Sequence, residues 1–283
     1  MQAKKTASKQ SSPQRIVPTN TALSAAKSAA IRARRRAQVR YRFVEREYLG
    51  DQDPPLARML RGGRGGQVRL KLYLSYLWMQ TDDFGVSLGY PARAWAAMLG
   101  LRDPGSAGAR RITDAQAWLE ENGFIAVASR PGLGNLITLL DDGGTGQPYV
   151  VPGSAANRER QEQGKSLAHR YIQLPATFWT EGHIAILSGA AVAMLLALLC
   201  EKGGGEGTGL WFSPGDAERR FGLSEDTRGK GLRELAEAGI VTTRRRPVNP
   251  TDFDILRMRN VHDLNLERLD EPASIVRTLQ SGK

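Results

Sequence analysis

One order of predicted elements, helix, short strand, helix, helix, hairpin, occurs twice along this chain, and a sequence that repeats one build has few folds open to it. In the first copy "QVRLKLYLSYLWMQ" sets Val68, Leu70, Leu72, Tyr73, Tyr76, Leu77 and Met79 on a broad apolar face, which predicts a helix. A short extended piece at 86–88 follows. Then "YPARAWAAMLGL" opens a second helix at Tyr90-Pro91 and offers Gly100 as its C-cap. "PGSAGARRITDAQAWLEENG" predicts a third helix with Ile112, Ala115, Trp118 and Leu119 inward and Gly123 as terminator. "FIAVAS", the turn "RPGLGN" and "LITLL" complete the copy as a hairpin.

In the second copy "YIQLPATFW" leads into the apolar helix "GAAVAMLLALLCEK", and a glycine-rich loop passes to the short strand "LWF". Ser213 caps a second helix that has Pro214 at its first position, and Ser224 caps a third. "IVTTRRRPVNPTDFDILRMRNV" predicts a hairpin with a longer turn. Setting Gly123 against Gly239 aligns Leu119 with Leu235 and Phe124-Ile125 with Ile240-Val241.

This order resembles the winged-helix superfamily, a helix-turn-helix with an added hairpin, and the tandem arrangement resembles plasmid or phage replication initiators and replisome organisers. "LEENGFI", "LAEAGIV" and the "YIQLPATFWTEGHIAILSG" segment are similar to the stretches that bracket a recognition helix or precede the first helix in such proteins. The resemblance implies a third helix in the major groove and a wing on the flanking groove or backbone. On that basis the DNA-binding candidates in the first copy are Ser106, Arg110, Arg111 and Thr113 on the third helix and Arg130 on the wing. In the second copy they are Thr227, Arg228, Lys230 and Arg233, then Arg244, Arg245 and Arg246 at the wing, with Arg219 and Arg220 ending the second helix. Arginine suits the role because its two parallel donors match the major-groove edge of guanine, and any cation on a wing neutralises phosphate. The small-residue run "GSAGA" marks the first copy as the weaker reader of DNA.

The charge distribution agrees with a polyanionic partner. The 283 residues carry 40 Lys and Arg against 29 Asp and Glu, a net +11. Twelve basic and two acidic residues lie in the first 50 positions, so the rest of the chain is almost neutral. Residues 1–65 therefore read as a basic arm, disordered and then partly helical from about residue 22, with Arg34, Arg35 and Arg36 as phosphate contacts. Winged-helix domains are expected at 66–150 and 171–270, a polar linker at 151–170 and a tail at 271–283. The fold class is mostly α with small β-hairpins, an α+β chain.

Other chemistries find little support. The lone Cys200 lies in an apolar helix and reads as an inert buried thiol, and His169, His183 and His262 have no metal-ligand spacing. The pairs Asp82-Asp83, Glu120-Glu121 and Asp141-Asp142 fall at turns or helix ends, where capping and solvation account for them. "RGGRGG" reads as a joint, and "GKS" at 164–166 lacks the upstream glycine of a phosphate loop. The expectation is a non-enzymatic, sequence-specific double-stranded DNA-binding protein without metal or cofactor. It would serve transcription or replication in the cytoplasm, on nucleoid or plasmid, without membrane contact. A second copy of itself or replication and transcription proteins are further expected partners. The alternative is a protein-interaction scaffold whose basic arm binds nucleic acid without sequence preference.

Overall fold

The computed structural model describes residues 13–46, 52–61, 65–80, 89–130, 134–162, 169–203, 205–248 and 257–277. In chain order the first elements are β1 (Gln14–Ile16), α1 (Asn20–Ala30), β2 (Arg36–Arg40), α2 (Tyr41–Val44) and α3 (Pro55–Leu60). Next come α4 (Gly66–Met79), α5 (Ala92–Met98), α6 (Ala107–Glu121), β3 (Ile125–Ala128), β4 (Leu136–Leu139), α7 (Pro152–Glu162) and β5 (Tyr171–Pro175). The remainder is α8 (Thr177–Thr180), α9 (His183–Ile186), α10 (Gly189–Lys202), α11 (Pro214–Phe221), α12 (Glu225–Glu237), β6 (Val241–Pro247), β7 (Met258–Leu264) and β8 (Ile275–Arg277). This is an α+β chain, helical for the most part, whose described strands pair as small antiparallel two-stranded sheets.

Helices α4 and α10 are apolar on nearly every side and are buried accordingly. Their first turns meet. The Gly189 N–H donates to Gln67 Oε1 at 3.1 Å, and a Cβ on Gly189 would stand 2.9 Å from a Leu60 methyl. Around this pair the buried side chains form one continuous cluster, from Ala26 near the start to Ile275 near the end.

Helices α6 and α12 end in the same way. At α6 the Gly123 N–H donates to Glu120 O and the Phe124 N–H to Leu119 O. At α12 Gly239 donates to Ala236 O and Ile240 to Leu235 O. Both glycines take positive φ, 72° and 73°, which lets the chain reverse into β3 and into β6. The expected short strand at 86–88, the "GKS" stretch and the tips of both hairpins lie outside the described residues. The strand expected at "LWF" is reduced to a bridge between Leu210 and His262.

The N-terminal region differs from expectation. From Gln14 on it is built into the body and is no arm: β1 pairs with β8 and β2 pairs with β5, while α1 is the only long helix there. The cause is a period-two pattern inside the arginine run: Ala37 and Val39 face the core while Arg36 and Gln38 face away. Residues 151–170, expected as linker, carry α7, and β8 occupies part of the expected tail.

Arg40 and Asp142 form a buried ion pair, 1% and 0% exposed, with Nη1 to Oδ2 at 2.9 Å. Arg40 also donates to Val150 O and lies over the Tyr149 ring, and Arg42 bonds both Asp141 and Asp142. Burial lowers the Arg40 pKa, but the facing Asp142 carboxylate, with Tyr149 and Asp141, more than offsets this and the net shift is upward. Solvation therefore does not account for Asp142. Asp141 does cap its turn, accepting from the Gly143 N–H at 3.1 Å.

Two tryptophans join the N-terminal region to the centre. Trp78 of α4 and Trp179 of α8 stack at 4.6 Å. Trp78 Nε1 donates to Arg34 O at 2.8 Å and Trp179 Nε1 to Ser75 Oγ at 3.0 Å. Both indole N–H groups are thereby satisfied inside the core.

Candidate nucleic-acid interface

Helix α6 owes its position to Ile112, Ala115 and Leu119, which are buried against the core and leave the opposite stripe outside. Ser106, Arg110, Arg111 and Thr113 are all exposed. Arg110 and Arg111 make no ion pair among the described residues, and the Ser106 hydroxyl makes no capping bond. Within the small-residue run before them Gly108 has a packing cause: a Cβ there would stand 3.0 Å from Arg102 O and 3.2 Å from the Ala96 methyl. Its lack of a side chain lets α6 close on α5. Arg111 and Arg69 line one small cleft beside the start of α4. Arg69 lies over the Trp118 ring at 4.6 Å.

Arg130 is half-buried and turned back on its own hairpin, donating from Nε and Nη2 to Gly134 O at 3.1 and 2.9 Å. With Arg93, Thr113 and Gln116 it borders a polar cleft of about 510 Å³ between α5, α6 and the hairpin.

The second copy holds more of its cations in internal pairs. Ser224 caps α12, accepting from the Thr227 N–H at 3.3 Å, and Thr227 and Arg228 are half-buried. Lys230 bonds Asp226 at 2.6 Å, Arg219 bonds Asp216 at 2.7 Å and Arg244 bonds Asp263. Arg220 bridges Glu201 at 2.7 Å and Glu45 at 3.2 Å, a tie between α11, α10 and the chain after α2. Arg233, Arg245 and Arg246 remain exposed and without an ion pair among the described residues. Near the N-terminus Arg34 bonds Gln80 O, Arg36 reaches Gln173 Oε1 at 3.4 Å, and Arg35 is exposed. The predicted site residues thus fall into separate groups, with Arg110-Arg111 and Arg245-Arg246 as the two strongest free pairs.

Helix α12 is held against α10 by Gly231, where any Cβ would collide with the Ala190 carbonyl oxygen. Gly231→Val is expected to cost about 1–3 kcal/mol through overpacking and to displace α12. Denaturant unfolding checks this, and a wild-type midpoint would show that the contact yields freely. Glu234, on the same face, turns inward and accepts the Ser188 N–H at 2.5 Å.

Between the two third helices lies Lys71 of α4, buried, with Nζ 3.5 Å from Ala185 O. Burial lowers its pKa from 10.5 to about 7, opposed by Glu234 of α12 and reinforced by Arg111 of α6. Between about pH 7 and 10.5 the unfolded chain holds a proton here that the folded chain has lost, so stability rises with pH through that window. Lys71→Met is expected to flatten that rise. Urea midpoints at pH 7 and pH 9 measure it, and an equal slope in both proteins would exclude Lys71 as the cause.

His183 is buried against Phe178 with Nε2 3.1 Å from Glu271 O, and its pKa falls to about 4 on burial. Among the described residues no three His, Cys, Asp or Glu side chains could jointly hold a metal, and no described helix is long and apolar enough to cross a membrane. Sequence reasoning missed Arg69, Arg259 and Trp211. Arg259 lies over the Trp211 ring at 4.5 Å. Comparison with known protein families, with characterised proteins and with solved structures finds no match.

Proposed function

We propose that this chain is a sequence-specific double-stranded DNA-binding protein of two tandem winged-helix modules, acting as a transcription regulator or replication initiator. The observation that carries the reading is the uncompensated pair Arg110-Arg111 on the exposed first half of α6, matched by Arg245 and Arg246 on the β6 strand of the later hairpin. A third helix offers guanidinium groups to base edges, while hairpin cations neutralise phosphates. Because Lys230 and Arg244 are already neutralised internally, base readout falls more on the first copy than on the second. The cytoplasm, on nucleoid or plasmid, is the compartment such a role requires.

Selection of bound duplexes from a random pool, followed by binding to the selected site and to scrambled DNA, tests this. Arg110→Ala and Arg111→Ala are each expected to cost about 1–3 kcal/mol on the selected site and less on scrambled DNA. Arg245→Ala and Arg246→Ala are expected to weaken both alike, each lowering the salt slope by about 1. No mobility shift on any duplex at low salt would overturn the reading. The internal pairing of Lys230, Arg219 and Arg244 favours one alternative, a second module that binds protein. Retention of a protein partner by the full-length chain after nuclease treatment, in the absence of DNA, would distinguish it.

A further inference from the structure

The β6–β7 register sets Arg246 directly opposite Arg259, so both guanidinium groups stand on one face of the hairpin. Like charges facing each other across a ladder are unfavourable unless an anion lies between them. The acid on that face, Asp263, is already bonded to Arg244 and to the Gly209 N–H at 2.7 Å. Arg259 has no ion pair among the described residues, and its Nε is buried without a hydrogen-bond partner.

The same face has an aromatic floor. Leu210 joins the free edge of β7 through two hydrogen bonds with His262, at 2.9 and 2.7 Å, which sets Trp211 on the face of Val261 and Arg259. The Arg259 guanidinium lies over the Trp211 ring at 4.5 Å. Trp211 is nevertheless 41% exposed, the one aromatic among the large exposed apolar side chains of the described residues. By contrast Trp78, Trp95 and Trp179 are buried, and Trp118 is half-buried.

Two arginines without an ion pair among the described residues, beside an exposed indole, match a ligand that is anionic at one end and flat and apolar at the other, which is the build of a nucleotide. In a duplex each base face is covered by its neighbours, so an aromatic platform can be used only by an unpaired base. We propose that the Trp211, Arg246 and Arg259 face binds an unpaired DNA strand, the indole stacking a base and the guanidinium groups holding its phosphates. The proposal rests on the DNA-binding reading above and adds a second substrate to it. Helix α6 and the hairpin cations would hold the duplex, and Trp211 would take a base from a strand opened beside it.

Fluorescence titration of the full-length chain with a single-stranded thymidine oligonucleotide and with a duplex of mixed sequence tests the proposal. The single strand is expected to quench tryptophan emission in the wild type. Trp211→Ala should weaken single-strand binding about 5- to 100-fold while duplex binding is unchanged. Trp211→Phe keeps an aromatic under Arg259, so it should retain most of the binding and lose most of the quench. Equal loss on single strand and duplex would overturn the proposal in favour of plain phosphate contact, as would unaltered single-strand binding in Trp211→Ala. Duplex binding without single-strand binding in the wild type defeats this proposal alone. Single-strand binding without duplex binding defeats only the duplex reading.

Discussion

Asp142→Ala is expected to lower the unfolding free energy by about 3–5 kcal/mol, because it leaves the Arg40 guanidinium buried without its counter-charge. The remaining hydrogen-bond and ring partners of Arg40 are the Val150 carbonyl, the His169 ring and the Tyr149 face, and the nearby Asp141 carboxylate is bonded to Arg42 instead. The effect should spread to β2, because Arg40 is its last residue and pairs with Tyr171 of β5. The double change Arg40→Met with Asp142→Leu should recover most of the loss, since an apolar pair of similar volume avoids desolvating either ion. Denaturant unfolding of the three proteins decides it. A single-mutant cost below about 1 kcal/mol would show that water or movement rescues the charge.

Trp179→Ala is expected to cost about 3–5 kcal/mol, the loss of a large buried aromatic. Three things go at once: the stack on Trp78, the edge contact with Phe178 and the hydrogen bond to Ser75 Oγ. Ser75→Ala removes only the last of these and should cost about 1 kcal/mol, although it also leaves the indole N–H unpartnered. A thermal or denaturant midpoint for Trp179→Ala close to that of Ser75→Ala would contradict the packing argument.

The parts of the fold legible in the sequence are those with a local cause. Helices α4, α6, α10 and α12 follow from apolar periodicity and from Ser224, Gly123 and Gly239, whose capping and turning act within a few residues. The pairings β1–β8 and β2–β5 have no such signal. Each joins segments more than a hundred residues apart, and "RARRRAQVR" presents its charge more plainly than its two inward residues, Ala37 and Val39. The burial of Asp142 was hidden for the same reason, since its partner arrives on β2.

At the candidate site the outward position of Arg110 and Arg111 was readable from the inward set Ile112, Ala115 and Leu119. The neutralisation of Lys230 by Asp226 is also present in the sequence as an i, i+4 spacing. Arg244 with Asp263, and Arg246 opposite Arg259, depend on the hairpin register, which the long turn between β6 and β7 leaves open.

The antiparallel contact between β1 and β8 has a consequence for synthesis. A ribosome makes Ile16 well over two hundred residues before its partner Ile275, so β1 waits unmated while the intervening helices and sheets are translated. A product stopped before Ile275 would leave Ile16 without its strand partner, a mark by which a protease or chaperone could tell it from one that has reached β8.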